Sequence, residues 1–143
     1  MARALEERMR EREAVIEAVR AFGLRAERVL GPITVLLFGS YARGDFNLWS
    51  DVDVLVVVGD EVRLPDKPHR RTDPIIDLIP PGFEVSVVRA CELGKALSRS
   101  AAVRKALSEA IIVLDGLGLA KGLLARLTER PGAGLGAEGV LGP

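Results

Sequence analysis

The chain has a single cysteine, Cys91, a single asparagine, Asn47, and no glutamine in its 143 residues. One thiol cannot close an intrachain disulfide or supply a zinc site built from several thiolates, and a reducing compartment is the expected home. The scarcity of Asn and Gln beside dense Arg and Glu is the composition expected of a protein from a hot-living source. Excess charge of one sign is also missing, since 20 Lys and Arg balance 20 Asp and Glu. Bulk attraction to nucleic acid is therefore excluded, and any polyanion must bind locally. No apolar run approaches the roughly 20 residues of a membrane span, and residues 1–15 alternate Arg and Glu where a signal peptide would be continuously apolar. The expected location is cytoplasmic. With 48% hydrophobic and 28% charged residues, the chain suits a compact fold rather than disorder, and its length fits roughly one domain of about 100–200 residues.

Leu5, Met9, Val15, Ile16, Val19 and Phe22 recur at helical spacing. They predict an amphipathic helix over 2–22, ended by Gly23. Continuous apolar runs predict buried strands over Ile33–Phe38, Val52–Val58 and Phe83–Arg89. Pro74–Ile79, capped by Thr72 or Asp73, predicts one or two helical turns. Residues 91–110 read as helix interrupted near Ser98–Ser100, Ile111–Leu114 as a short strand, and Leu117–Arg130 as a last helix. Helices separating strands predict a layered α/β or α+β domain over 1–130. Five Gly and two Pro among residues 131–143 mark a flexible tail.

The chemistry concentrates in Leu37–Val58, LFGSYARGDFNLWSDVDVLVVV. A strand ending at Phe38 turns through Gly39-Ser40 into a helix start, where free backbone N–H groups can face an anion. Gly39 permits close approach of a phosphate, Ser40 adds a hydroxyl, and Arg43 adds a planar cationic fork. Asp51 and Asp53, at i and i+2, project from one strand face. Adjacent carboxylates repel unless a cation compensates, and hard oxygen pairs suit Mg²⁺ together with substrate phosphates.

This segment resembles the signature of the DNA polymerase β-like nucleotidyltransferase superfamily, Gly-Ser followed about ten residues later by Asp-x-Asp. The fuller string GSYARG…SDVDVLVV is similar to the minimal nucleotidyltransferase (MNT) branch. The resemblance spans most of residues 10–115 and is specific over Phe38–Val58. It implies a mixed sheet flanked by helices, with Gly39 and Ser40 holding the triphosphate, Arg43 assisting, and Asp51 and Asp53 binding two Mg²⁺ ions. It also implies a third carboxylate on a later strand, which matches Glu84, where many relatives carry Asp. Asp77 is the second candidate. The implied activity is transfer of a nucleoside monophosphate, AMP from ATP foremost, to a protein or small-molecule acceptor. A HEPN-type toxin, with this chain as its antitoxin, is the partner the MNT branch suggests. The alternative is a degenerate MNT domain that binds nucleotide or caps a toxin without chemistry.

Lys67, His69, Arg70 and Arg71 form a basic run that either contacts acceptor or phosphates or is a solvated face. Tyr41 and Trp49 either stack on a base or cover the sheet edge. Cys91 opens a helix, where a buried small residue is expected. IIVLDGLGLAKG, residues 111–122, imitates a dinucleotide-binding turn, but Lys121 occupies the third glycine position. The apolar stripe of the first helix and the basic residues Arg99, Arg104 and Lys105 predict an assembly with itself or a partner.

Overall fold

The computed structural model describes residues 2–127, so the predicted tail over 131–143 lies outside the described residues. Helix α1 runs from Ala2 to Leu30, past Gly23, where the sequence predicted its end. A Cβ at Gly23 would lie 3.1 Å from Val35 Cγ2 and 3.3 Å from Leu114 Cδ2. That glycine lets the helix lie close on the sheet and has no capping role. The chain turns instead at Gly31, with φ 80° and its N–H donating to the Glu27 carbonyl at 2.9 Å, and Pro32 follows.

Strands β1 (Ile33–Phe38), β2 (Val52–Val58), β3 (Phe83–Arg89) and β4 (Ile111–Asp115) form one sheet in the order β3-β2-β1-β4. The inner strand β1 is antiparallel to β2 and β4, while β2 and β3 run parallel. The sheet is mixed and helices flank it, which is the predicted fold class. Ile33, Val35, Leu37, Val54 and Val56 pack with Val19, Phe22 and Ala26 of α1 on one face. Leu36 and Val57 meet the second helical layer on the other. That layer comprises α3 (Ala90–Arg99), α4 (Ala101–Ser108) and α5 (Ala120–Leu127). Burial on both faces is why β1 and β2 read as unbroken apolar runs.

The crossover from β2 to β3 carries two short 3-10 helices, Pro68–Arg70 and Asp73–Leu78. The second is the predicted helical turn, but Thr72 makes no side-chain cap there. Buried Ile75 fastens it to the α1 layer. The predicted break near Ser100 is real: the Ser100 hydroxyl oxygen accepts from the Val103 N–H at 3.2 Å and starts α4. Helix α5 begins at Ala120 rather than Leu117 because Asp115 caps it. The Asp115 carboxylate accepts from the N–H groups of Leu119 (2.8 Å) and Ala120 (3.1 Å), and Thr34 Oγ1 donates to it at 2.7 Å. The Gly116–Gly118 stretch is thus the lead into a capped helix.

Candidate active site

Strand pairing assembles the acidic residues. Phe38 at the end of β1 lies opposite Asp53 on β2, and Asp53 lies opposite Glu84 on β3. Alternation then points Asp53 and Glu84 to the same face, beyond Leu55 and Val57 of the second core layer, with Asp51 one step outward. Asp53 is half-buried, whereas Asp51 and Glu84 are exposed.

Asp53 and Glu84 are joined by a side-chain hydrogen bond. Burial, chiefly, pushes the Asp53 carboxyl above its ordinary range, and Asp51 adds to this, while the Glu84 hydrogen bond and Arg43 oppose it. Glu84 is raised first by the charges of Asp51 and Asp53, then by burial and by its hydrogen bond to Asp53. The pair therefore retains a proton at higher pH than isolated carboxyls would. Among the described residues no three His, Cys, Asp or Glu side chains converge as a preformed metal cage.

The turn after β1 lies directly against this pair. Gly39 has φ 76° and ψ −154°, and a Cβ there would fall 2.2 Å from Asp53 Oδ2. Its dihedrals favour glycine, and a Cβ there would force the Asp53 carboxylate to move. Helix α2, Ser40–Arg43, is a single turn closed by Gly44 at φ 89°, whose N–H donates to the Ser40 carbonyl at 2.8 Å. Ser40 and Arg43 are therefore carried on the segment that abuts Asp53. Arg43 Nε donates to Asp45 Oδ2 at 3.1 Å and lies 3.9 Å from Glu109 Oε2. Its pKa is raised, first by the Asp45 hydrogen bond, and Asp53 contributes through space.

Other sequence candidates are placed elsewhere. Tyr41 is buried and stacked on Phe46, ring centroids 4.4 Å apart, so it covers the sheet and offers no face to a base. Trp49 is 90% exposed. Arg71 donates to both Glu92 oxygens at 2.8 Å and to the Val87 carbonyl, toward the far end of β3 from Glu84, and Arg70 pairs with Asp73. Those two arginines of the basic run brace the crossover. Asp77 is exposed on the 3-10 helix that packs with α1, across the sheet from Asp53. Cys91 is exposed, contrary to expectation, and a hydrogen bond to Asp60, followed by burial, pushes its thiol pKa up, so it is no activated thiolate.

Sequence reasoning missed Arg8 and Arg12. Both reach from α1 to backbone carbonyls of the segment around α2. Their only local signal is an i,i+4 spacing within a helix face that reads as merely polar.

The model of the family described as "Nucleotidyltransferase domain" matches residues 20–113, from the middle of α1 into β4 and across the whole acidic site. Over 33 residues the chain is 58% identical to a Methanocaldococcus jannaschii protein named "Putative protein adenylyltransferase". That match covers 23% of this chain and 33% of the relative, so only a third of the relative's length is spanned. A crystal structure from Sulfolobus solfataricus, described as "a putative nucleotidyltransferase", is similar at a TM-score of 0.47 and 22% identity, covering 76% of this chain and 84% of its own. The chain belongs to the nucleotidyltransferase-domain family, within the DNA polymerase β-like superfamily.

Proposed function

We propose that this chain transfers a nucleoside monophosphate, AMP foremost, from a nucleoside triphosphate to a hydroxyl of a protein or small-molecule acceptor, with Mg²⁺ as cofactor. One observation carries the reading: Asp53, paired with Glu84 across the sheet, abuts a glycine turn so closely that a Cβ at Gly39 would displace its carboxylate. Mg²⁺ is commonly held by one or two carboxylates plus substrate phosphates rather than by an all-protein cage. The hard-oxygen set of Asp51, Asp53 and Glu84 fits that habit, and the charges of Asp51 and Asp53 that push the Glu84 pKa up are charges a cation would relieve. Two bound Mg²⁺ ions would supply charge stabilisation at the entering and leaving oxygens.

In this reading Asp51, Asp53 and Glu84 are the metal-holding and catalytic residues, and Gly39, Ser40 and Arg43 hold the triphosphate. The acceptor oxygen forms a bond to the α-phosphorus, the bond from that phosphorus to the bridging oxygen breaks, and pyrophosphate leaves. The acceptor's proton passes to a Glu84 oxygen, whose raised pKa suits a base working nearer neutrality. The name of the Methanocaldococcus relative favours a protein acceptor, and the resemblance to MNT proteins points to a HEPN-type toxin.

Incubation with Mg²⁺ and ATP labelled at the α-phosphate, beside ATP labelled at the γ-phosphate, tests the reading. Label from the α position alone should appear on the acceptor. A second reading, a nucleotide-binding or toxin-capping module without chemistry, draws on Glu84, which replaces the usual Asp and is already bonded to Asp53. Saturable ATP binding with no transfer to any HEPN-type protein or co-purifying partner would favour it.

A further inference from the structure

Helix α2 is too short to hold itself. A single turn fixes several dihedrals for very few hydrogen bonds, and its last carbonyls have no partner within the helix. Here the Arg43 N–H donates to the Gly39 carbonyl, and the N–H groups of Gly44 and Asp45 donate to the Ser40 carbonyl. Four further carbonyls are taken by two side chains from α1. Arg12 Nε donates to the Tyr41 carbonyl at 2.8 Å and Nη2 to the Ala42 carbonyl at 2.5 Å. Arg8 Nη2 donates to the Gly44 carbonyl at 3.1 Å and the Phe46 carbonyl at 2.7 Å.

The arrangement is specific to arginine on a helix. Positions 8 and 12, four apart, stack one above the other on one face of α1. The planar fork of Arg12 spans two neighbouring carbonyls through two nitrogens, where a lysine ammonium would act as a point charge. Arg8 also lies over the Phe46 ring, 4.6 Å from its centroid, and that ring stacks on buried Tyr41. Further along, α1 is anchored by Val19, Phe22 and Ala26 in the sheet core. The two guanidinium groups thus tie the turn that starts against Asp53 to a fixed frame.

We propose that Arg8 and Arg12 are positioning residues: they hold residues 39–46 in the conformation that receives the triphosphate, and so set nucleotide affinity without touching the nucleotide. The nucleotide half of this inference rests on the proposed function; the clamping half does not. The test compares wild type with Arg12→Ala, Arg12→Lys and the double variant Arg8→Ala with Arg12→Ala. It reads amide hydrogen exchange of the ligand-free proteins and calorimetric MgATP affinity.

We expect exchange at residues 40–46 to rise about ten-fold or more in Arg12→Ala and further in the double variant, the scale of lost bonds to a charged group. Amides of β1 and β2 should stay protected, which separates loss of the clamp from unfolding. MgATP affinity should fall by a similar factor, and Arg12→Lys should recover only a minor part of both losses because charge alone does not reproduce the fork. Exchange at 40–46 that stays at the wild-type rate overturns the clamp. Faster exchange with MgATP affinity within about two-fold of wild type overturns the positioning role, as does full rescue by Arg12→Lys. If wild type binds no MgATP, the proposed function fails, and the exchange data still decide the clamp.

Discussion

Gly39→Ala probes the point at which the backbone of the turn meets the proposed catalytic carboxylates. At φ 76° and ψ −154° the residue occupies a region essentially reserved for glycine, so any side chain there costs about 1–3 kcal/mol of backbone strain. The new Cβ would also fall 2.2 Å from Asp53 Oδ2 and 3.2 Å from its Cγ, so the carboxylate must swing away and leave Glu84. An off-rotamer side chain and a lost hydrogen bond add about 1 kcal/mol. The total is about 2–4 kcal/mol. In an Asp53→Ala background the two close contacts disappear, and the nearest remaining Asp53 atom is Cβ at 3.5 Å, ordinary van der Waals contact. Only the backbone strain then remains. Urea unfolding of wild type, both single variants and the double variant should therefore show Gly39→Ala costing about 1 kcal/mol less once Asp53 is gone. Additive effects would refute the claim that the turn presses on the carboxylate. A Gly39→Ala cost below about 0.5 kcal/mol would refute the strain argument as well.

Asp53→Ala alone should abolish Mg²⁺-dependent transfer while leaving the metal-free melting temperature level or higher, because a half-buried acid beside Asp51 and Glu84 is removed. Glu84→Gln should nearly eliminate transfer while keeping MgATP affinity within about a few-fold, and Glu84→Asp should retain or raise activity; measurable transfer left unchanged by Glu84→Gln would displace Glu84 from the base role. Ser40→Ala with Arg43→Ala should weaken ATP binding far more than adenosine binding in calorimetry, and equal losses would mean that neither group serves the phosphates. Glu92 is held at about 2, first by its hydrogen bonds from Arg71 and then by that from the Arg89 N–H. A lowered acid stabilises the fold above its unfolded pKa near 4.5 and loses that contribution as pH falls through about 2. The shift corresponds to about 3 kcal/mol at most, reduced to about 1–2 kcal/mol for a side chain 36% exposed. Glu92→Gln should cost about that much at pH 7, with the gap to wild type closing below pH 4.5 in denaturation curves; a gap independent of pH would remove the ion pair as its cause.

What could be read from the sequence was whatever a residue's immediate neighbours determine. The strands β1 and β2 announce themselves because both faces are buried, and Asp51 and Asp53 share a face because strand side chains alternate. Gly39-Ser40 reads as a turn for the same local reason. Where a partner lies far along the chain, the local signal misleads. Gly23 has the look of a helix stop, yet its neighbours are Val35 and Leu114, and only the packed sheet shows that the glycine is there for close approach. Arg71 reads as one member of a solvated basic run, yet its partner Glu92 opens a helix beyond the next strand. The opposition of Asp53 and Glu84 depends on the register of a parallel pair whose crossover carries no periodic pattern to set it.

The same separation governs how the site is held. Asp53, Glu84 and Gly39 lie on three different stretches of chain, brought together by strand pairing and by the close approach of the glycine turn. The strand pairings fix the two carboxyls against each other; burial, chiefly, raises the Asp53 pKa, and the charges of Asp51 and Asp53 raise that of Glu84. The one-turn helix that faces them draws its support from arginines some thirty residues earlier in the chain. Stability from α1 is thus directed into the segment least able to stabilise itself. That direction of support keeps the glycine turn and the two carboxyls in place in the ligand-free protein, the condition under which, in the proposed reaction, binding energy would go into the transition state rather than into ordering the site.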